Sequence, residues 1–241
     1  MKILFKNIIF NKFKFFYFNL NLESGLYVFP SAPGLSNLKD NPIYHQALIN
    51  SDFVFFDSGY FVLLLKLFKG IKVNKFSGYK FIILFLNYLQ NKSAYKLFVI
   101  EPSDEISYIN KAYFDKNNIK VLSQFIAPFY DKKVKIDDYE LLDILNKKKP
   151  DYILINLGSE TQEILGYYLK NNLNYKPVII CTGAALSFLT GEQAPVTKWI
   201  DKMYLGWLWR CIYNPKVFIP RYLSAFKLAK LVIQSKVTVI K

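Results

Sequence analysis

The stretch 52–75, with the sequence DFVFFDSGYFVLLLKLFKGIKVNK, combines a strand, a turn and a helix. Residues 52–56 are apolar and aromatic over the length of a strand, which indicates a buried strand. Asp57 follows, a Ser-Gly pair permits a sharp turn, and residues 60–68 are apolar over helical length. Ligands of open α/β sheets bind outside the carboxyl ends of the strands. We therefore predict that Asp57 is a site residue; the alternative is that its carboxylate only caps the following helix.

The same strand-then-helix order recurs along most of the chain. Repeated units of this kind predict an α/β fold: a Rossmann-like, mainly parallel sheet with helices on both faces. The Lys/Phe/Asn-rich lead over 1–25 is only weakly periodic, and part of it is predicted as strand, while 30–34 is predicted as a loop. The other predicted strands are 26–29, 96–100, 119–125, 152–157 and 178–181; the other predicted helices are 42–50, 79–91, 104–117, 138–148 (capped by Asp137), 160–169 and a short one ending near 191.

The amino-acid composition and the net charge limit the kinds of partner that the protein is expected to bind. Hydrophobic residues make up 52% of the 241 residues, and the formal net charge is +14. A strongly basic chain points to an anionic partner such as nucleic acid, an acidic membrane surface or a phosphorylated ligand. Nucleic acid is disfavoured because the lysines are scattered and no recognised binding motif accompanies them. Two cysteines, Cys181 and Cys211, are too few for a disulfide framework and favour a reduced compartment.

The pattern changes near residue 197. Two helices, 198–213 and 220–234, are predicted there, with no clear strand before the last few residues. All three tryptophans and both arginines fall in these helices or between them. The segment 198–236 holds eight Lys or Arg residues against one acid. Basic helices with interfacial aromatic residues suit a surface of anionic lipid.

We therefore predict two domains: a Rossmann-like catalytic core over 1–196 and a basic, membrane-associating helical appendage over 197–241. The alternative for the appendage is an ordinary helical cap whose tryptophans fill the core. Deleting 197–241 is expected to leave a folded core. No stretch reaches the roughly 18 uninterrupted apolar residues of a membrane-spanning helix, so a cytoplasmic protein that does not cross a membrane is expected.

The absence of several known local motifs disfavours some classes of enzyme and of metal-binding protein. No G-x-G-x-x-G fingerprint or Walker loop is present, which disfavours a dinucleotide enzyme or an NTPase. One histidine, His45, and two distant cysteines predict no zinc site, and His45 is predicted as a helix-surface residue. Gln162 lies three residues after Ser159, which fits a capping box without any ligand. The loops at Gly158 and Gly183 are small enough for backbone to approach a phosphate.

Three longer segments carry a resemblance to a known family. NSDFVFFDSGYFVLLLKLFKGIKVNKFSG (50–78) resembles a pattern N-S-A-D-L-V-x-P-D-G-x-G followed by an Arg before x-x-G, and PDYILINLGSETQE (150–163) resembles P-D-x-x-x-V-x-L-G-x-P-x-Q-E. CTGAALSFLTGEQAPVTKWIDKMYLGWLWRCIYNPKVFIPRYL (181–223) resembles G-V-G-G-x-F-D-x-x-A-G, then R-A-P, then G-L-E-W-x-x-R-L-x-x-E-P-x-R-x-x-R-Y. These patterns are those of the bacterial WecG/TagA/CpsF glycosyltransferases (glycosyltransferase family 26). Their order and spacing hold from about residue 26 to 230.

The resemblance implies a fold, a reaction and a location. Members of the family have an α/β fold with a basic C-terminal appendage at the membrane. They move an N-acetylmannosamine-type sugar from a UDP-sugar donor to a polyprenyl-diphosphate-linked acceptor, with inversion, in cell-envelope polysaccharide synthesis. No metal or other cofactor is implied. The expected location is the inner face of the bacterial plasma membrane, as a peripheral protein, and a homo-oligomer is a possible state.

The resemblance also assigns roles to individual residues. Asp57 matches the family's proposed catalytic base, and a base of this kind is needed when a sugar hydroxyl attacks the anomeric carbon. Gln162 matches an active-site glutamine of the family. Lys75 takes the place of the family arginine. Arg210 and Arg221 match appendage arginines that reach towards diphosphate.

Departures from the family pattern cluster at the sugar–nucleotide end. The family's Thr-x-Asn loop is Pro30-Ser31-Ala32 here, which leaves Ser31 as the available hydroxyl, and the aspartate of G-G-x-F-D is Ser187. Ser31, Ser187 and the two loop glycines are therefore predicted to contact substrate, while the identity of the donor sugar stays open. A competing prediction is a non-catalytic basic α/β module that binds an anionic membrane or a nucleotide.

Overall fold

One nine-stranded sheet runs through the part of the chain that the structure describes. The computed structural model describes residues 2–12, 22–191 and 225–240, and the single residues 212, 215, 216, 220 and 223. The strand order in the sheet is β6-β5-β7-β8-β3-β4-β2-β1-β9. The strands are β1 (Lys2–Phe5), β2 (Ile8–Asn11), β3 (Gly25–Val28), β4 (Phe53–Phe55), β5 (Leu97–Glu101), β6 (Val121–Ile126), β7 (Tyr152–Ile155), β8 (Val178–Cys181) and β9 (Val237–Ile240).

The strands from β6 to β2 in this order are all parallel. Only β1 runs against its neighbours, β2 and β9. The predicted Rossmann-like, mainly parallel sheet is therefore confirmed. Because parallel strands share one carboxyl edge, the loops after the adjacent strands β7, β8, β3 and β4 meet at that edge.

Helices cover both faces of this sheet, as predicted. They are α1 (Ala32–Ser36), α2 (Pro42–Ile49), α3 (Gly59–Lys69), α4 (Gly78–Gln90), α5 (Asp104–Lys116), α6 (Tyr139–Lys148), α7 (Thr161–Asn172), α8 (Ser187–Thr190) and α9 (Lys227–Gln234), with a 3₁₀ turn at Gly183–Ala185. One face packs against α1, α2, α3, α6, α7 and α9. The other face packs against α4, α5 and the segment from the 3₁₀ turn into α8.

Alternation of side chains along the strands divides the core into two layers. On β3, Leu26 lies in the layer under α7 while Tyr27 lies in the layer under α4. The second layer is largely aromatic: the ring centroid of Phe29 is 5.0 Å from that of Phe55 and 4.9 Å from that of Phe81. A large share of the chain's many phenylalanines therefore fills the core.

The weakly periodic lead contains a β-hairpin. Lys6 and Asn7 join β1 to β2 with φ values of 51° and 62°, and a two-residue turn with positive φ at both positions suits a hairpin. His45 of α2 supports this turn, because its Nε2 lies 2.7 Å from the Lys6 carbonyl oxygen, to which it donates. The lead was predicted only as partly strand because its hydrophobic pattern is weakly periodic.

One predicted loop and one predicted helix cap are wrong by the structure. Residues 32–36 form the short helix α1 rather than a loop, with Ser31 as the N-cap and a proline in the first turn. Proline fits a first helical turn because no backbone donor is needed there. The N-cap of α6 is Asp138 and not Asp137; its carboxylate accepts from the Leu141 N–H at 2.8 Å.

The end of the predicted appendage is integrated into the sheet and core. Strand β9 pairs with β1, and the buried side of α9 packs into the same core layer as α3. Deleting 197–241 would remove an edge strand and part of this layer, so the truncated core is no longer expected to be stable. Apart from residue 212, the predicted helix 198–213 lies outside the described residues, as do Trp199, Trp207, Trp209, Arg210 and Arg221. The boundary at 196 stays a prediction.

Candidate active site

Polar groups form a continuous band along the carboxyl edge of β4, β3, β8 and β7. The band begins at Asp57 after β4 and passes the N-terminus of α4. It continues through the loops after β8 and β7 to α1 and α2. Several contacts in this band join residues that are distant in the sequence.

Asp57 lies at the first end of this band. The Gly78 N–H, the first of α4, donates to Asp57 Oδ1 at 2.9 Å. The cap of the following helix is Ser58, whose Oγ accepts from the Phe61 N–H at 3.1 Å. Asp57 therefore does not cap α3, contrary to the alternative interpretation. Its half-buried carboxylate instead faces the positive end of the thirteen-residue helix α4.

The start of α4 touches the loop after β8. A side-chain carbon at Gly78 would lie 3.2 Å from the Thr182 carbonyl oxygen, so the two segments are in close contact. The next residue, Gly183, has φ 62° and its N–H donates to Gln162 Oε1 at 2.6 Å. Gly183 therefore gives this turn the positive φ that other residues rarely adopt. The buried hydroxyl of Thr182 has no hydrogen-bond partner within the structure described.

Gln162 links the loops after β7 and β8. Its side chain is 2% exposed, and its amide nitrogen donates to Glu163 Oε1 at 3.1 Å. With the Gly183 N–H on its oxygen, both ends of the amide are engaged. Its second amide hydrogen and the second lone pair of Oε1 remain for further contacts. The role assigned to Gln162 by resemblance stays a prediction.

The capping box of α7 is one residue away from the predicted position. Glu160 is the N-cap, its side chain accepts from the Glu163 N–H, and Glu163 Oε2 accepts from the Glu160 N–H at 2.7 Å. Ser159 and Gln162 do not form the box. Glu160 has φ 76° and ψ −51°, close to a strained γ-turn that is rare for a residue with a side chain.

The Glu160 side chain also contacts three other segments beside this loop. Glu160 is 4% exposed, and its carboxylate accepts from Asn37 Nδ2 at 2.9 Å and Asn41 Nδ2 at 3.0 Å. Lys132 Nζ, from the loop before α6, lies 3.4 Å away as an ion pair. These contacts hold the ends of α1 and α2 against the β7–α7 loop. Sequence reasoning missed Glu160 because its partners lie far away along the chain.

Ser31 meets the β7–α7 loop from the other side. Its Oγ is 3.1 Å from Ser159 Oγ and accepts from the Gly34 N–H at 3.3 Å. Gly34 is needed here because an added side-chain carbon would lie 2.7 Å from the Tyr44 hydroxyl oxygen and 3.1 Å from Ser159 Oγ. The fully buried Tyr44 hydroxyl has no hydrogen-bond partner within the described structure. The loop is therefore tightly packed against Ser31.

The carboxylate of Glu163 is the most perturbed acid of this band. It is fully buried, and burial raises the pKa of Glu163 to about 7 even though three hydrogen bonds lower it. Burial also raises the pKa of the nearby Tyr44 hydroxyl and of the Cys181 thiol, and the Glu163 carboxylate adds to both shifts. A carboxyl group that titrates near neutral pH lies one residue from Gln162.

Stability is expected to fall with rising pH because of Glu163. A raised folded-state pKa means that the native state keeps a proton that the unfolded chain loses near its ordinary value of about 4.3. The stability that Glu163 provides is therefore complete below about pH 4.3 and is lost as the pH rises through about 7. Glu163→Gln cannot titrate, so its melting temperature should rise relative to wild type between these values. Thermal melts of both proteins across this range test it.

The matched control is Glu105→Gln, an exposed glutamate in the first turn of α5. Its melting temperature should run parallel to that of the wild type across the same pH range. If the curve of Glu163→Gln also runs parallel to the wild type, the carboxyl group of Glu163 does not titrate in this range.

A second buried carboxylate lies at the end of β5. Glu101 is fully buried and accepts from Asn110 Nδ2 and Asn156 Nδ2, each at 3.0 Å, and more distantly from Gln124 Nε2 at 3.5 Å. Burial raises the pKa of Glu101, and the amide hydrogen bonds lower it. Because Asn156 precedes Gly158 by two residues, this cluster anchors the base of the loop that enters the site.

Of the other predicted site residues, Lys75, Gly158 and Ser187 lie in the described part of the chain. Phe76, next to Lys75, donates its N–H to the Phe56 carbonyl at 2.9 Å, which places Lys75 beside the strand that carries Asp57. Gly158 is exposed, and a side-chain carbon there would meet nothing within 4 Å. Ser187 is the first residue of α8, which follows the 3₁₀ turn after β8. Arg210 and Arg221 lie outside the described residues.

Within 2–12, 22–191 and 225–240, no group of three or more His, Cys, Asp or Glu side chains is arranged to hold a metal ion. None of the helices in that part of the chain is both long enough and apolar enough to span a bilayer.

Comparison with known families decides the relationship. The profile described as "Glycosyl transferase WecG/TagA/CpsF family" matches residues 18–240. The chain belongs to this family. No curated protein matches the chain. Membership makes it a glycosyltransferase of the kind that acts in bacterial cell-envelope polysaccharide synthesis.

One departure from the family pattern now has a structural meaning. The pattern quoted above has proline in L-G-x-P-x-Q-E at the position of Glu160. Proline is confined to φ near −65°, whereas Glu160 has φ 76°. The β7–α7 loop of this member therefore takes a conformation that a proline would not permit, and a buried carboxylate occupies its turn.

Proposed function

We propose that this protein transfers a sugar of the N-acetylmannosamine type, or a related one, from a UDP-sugar to a polyprenyl-diphosphate-linked acceptor. The transfer proceeds with inversion and without an essential metal or other cofactor. The observation that carries the proposal is the position of Asp57. It is a carboxylate at the carboxyl edge of the central strands, oriented by the first N–H of α4 and carried on a chain of this family.

Asp57 acts as the general base in this proposal. The acceptor hydroxyl oxygen attacks the anomeric carbon, the bond from that carbon to the diphosphate oxygen breaks, and the hydroxyl proton passes to Asp57. Such a base contributes typically about 10²–10⁴-fold to the rate. The Gly78 N–H fixes the carboxylate, so little reorganisation is needed as the proton arrives.

The leaving diphosphate requires positive charge. The N-terminus of α4 provides a positive helix end at the same edge. Lys75 lies beside the strand of Asp57, and Arg210 and Arg221 are proposed to add planar guanidinium groups that suit phosphate oxygens. Ser31, Gly158, Gly183 and Ser187 are proposed to line the donor side, with Gln162 holding the loops at Gly158 and Gly183 together. These roles stay proposals.

The proposed location is the cytoplasmic face of the bacterial plasma membrane, with the protein bound peripherally. The division into a catalytic core, 1–196, and a membrane-associating appendage, 197–241, is part of the same proposal. The basic composition of the second segment supports it. Assembly of several copies is compatible with it.

A thermal-shift titration with UDP tests the donor site. Saturable stabilisation is expected, because a ligand that binds only the native state adds about 2.7 kcal/mol at a hundredfold excess over Kd. ADP and GDP are the matched controls, and they should raise the melting temperature less than UDP at equal concentration. No shift with any nucleotide at millimolar concentration would favour a non-catalytic module that binds anionic lipid.

The substrates are identified by a transfer assay. A set of UDP-sugars is incubated with a short-chain lipid-diphosphate sugar, and products are read by mass spectrometry. A mass increase of one sugar unit with one donor identifies that donor. Because the chain departs from the family pattern at Ser31 and Ser187, the set includes donors other than UDP-N-acetylmannosamine.

A further inference from the structure

Helices α3 and α9 lie side by side on one face of the sheet. At one end, the ring of Tyr60 meets that of Phe226 edge-on, with centroids 6.1 Å apart. At the other end, Lys69 Nζ donates to the Ile233 carbonyl oxygen at 3.0 Å. The two helices therefore run in the same direction. Since α3 begins just after Asp57, both begin at the carboxyl edge of the sheet.

The outer side of this helix pair is unusually apolar. Leu63 and Leu67 are neighbours one turn apart on α3 and are 48% and 65% exposed. Phe68, Phe226 and Ile233 are each about half exposed or more. Four lysines on the same helices are interleaved with them. Together these residues form the α3–α9 face: Leu63, Lys66, Leu67, Phe68, Lys69, Phe226, Lys227, Lys230 and Ile233.

No acidic residue interrupts this face. Residues 58–100 contain seven lysines and no aspartate or glutamate, and residues 202–241 contain no acid either. Soluble surfaces normally mix both signs of charge. Within the described structure, none of the four lysines of the face forms an ion pair with a carboxylate.

We infer that the α3–α9 face docks on an anionic lipid bilayer. Exposed leucine and phenylalanine side chains enter the boundary between headgroups and acyl chains, and interleaved lysines meet the anionic headgroups. A second copy of the chain fits less well, because a symmetric contact would bring two acid-free basic faces together. Nucleic acid would match the lysines and leave the large aliphatic side chains without a partner.

This inference extends the proposed function. Docking on the bilayer does not depend on the proposed reaction, but its use in presenting a lipid-linked acceptor does. The proposed appendage is not the sole lipid contact, because α3 belongs to the catalytic core. Helix α3 runs for about 16 Å from its start beside Asp57. A bilayer lying along this face therefore holds the carboxyl edge near headgroup level, where the diphosphate of a lipid-linked acceptor lies.

Vesicle co-sedimentation with the full-length chain tests the docking. The variant combines Leu63→Ser, Leu67→Ser and Phe68→Ser. Wild type should bind phosphatidylglycerol-containing vesicles much better than pure phosphatidylcholine vesicles, and its binding should weaken as salt rises from about 0.1 M to about 0.5 M. The variant should bind at least about tenfold more weakly, since three exposed apolar side chains are lost.

Matched controls distinguish binding through the α3–α9 face from nonspecific binding through other exposed side chains. Tyr108→Ser with Phe129→Ser removes two aromatic side chains that are 77% and 94% exposed elsewhere, and binding should stay at the wild-type level. Lys66→Gln with Lys230→Gln should weaken binding several-fold, whereas Lys111→Gln with Lys116→Gln on α5 should not. Melting temperatures within about 4 °C of wild type show that each variant is folded.

Three results would overturn the inference. They are unchanged vesicle binding by the triple serine variant, equal binding of wild type to both kinds of vesicle, and no binding of wild type to either. A dimer by light scattering that the triple variant dissociates, without loss of vesicle binding, would assign the face to self-association instead. Asp57→Asn should bind vesicles as wild type does, so failure of the transfer reaction and failure of docking are distinguishable.

Discussion

Asp57→Asn is expected to lower the rate of sugar transfer by about 10²–10⁴-fold, the usual contribution of a general base. Asparagine keeps an oxygen that can accept from the Gly78 N–H, so the start of α4 should stay in place. The loss should fall on kcat with little change in nucleotide affinity, because the base acts on the acceptor hydroxyl. Initial rates, together with UDP thermal shifts on the same preparation, measure both quantities.

The control for this variant is Asp52→Asn. Asp52 lies at the opposite end of the same strand, where its carboxylate accepts from the Leu26 N–H at 2.8 Å and pairs with Lys170. Loss of charge there should leave the transfer rate near that of wild type. If Asp57→Asn retains more than half of the wild-type rate, Asp57 serves only to anchor α4.

Removing the Glu160 carboxylate should have the largest effect on stability. Glu160→Ala leaves the half-buried Asn37 amide and Lys132 without this acceptor, and it removes one of the two acceptors of the buried Asn41 amide. A hydrogen bond to a charged group contributes about 1.5–3 kcal/mol, so losing the two asparagine contacts should cost about 3 kcal/mol. Chemical denaturation should show this loss of unfolding free energy. Glu140→Ala, at an exposed glutamate in the first turn of α6, is the control and should change it little.

Glu160→Gly separates the lost contacts from the backbone strain. Glycine loses the same hydrogen bonds but adopts φ 76° without the steric cost that alanine meets. The glycine variant should therefore be more stable than the alanine variant by about 1 kcal/mol. If alanine is the more stable of the two, the turn at Glu160 is not strained in solution.

Local pattern was enough to predict most of the sheet. The strand, turn and helix around Asp57 are encoded within some twenty consecutive residues, and β8 appears over 178–181 as predicted. Where two neighbouring residues offered similar caps, the prediction missed by one position, as at Asp137 and Asp138. Sequence alone does not tell which of two adjacent carboxylates meets the helix N–H groups.

The candidate site was harder to predict because its contacts are long-range. Asp57 was recognised from its place after a strand, but its partner Gly78 is 21 residues away. Glu160 was missed because it meets Asn37 and Asn41 across more than 100 residues of sequence. Its φ of 76° is not typical of glutamate, so no local rule would have predicted a turn there.

The pairing of β9 with β1 determines when this edge of the sheet can form during synthesis. Register places Lys2 opposite Ile240, so β1 leaves the ribosome more than 200 residues before its partner β9. Until then, the α3 side of the core lacks the buried leucines of α9. Closing so long a loop is slow relative to forming local βα units. The nascent chain is therefore expected to expose this apolar flank to chaperones throughout elongation.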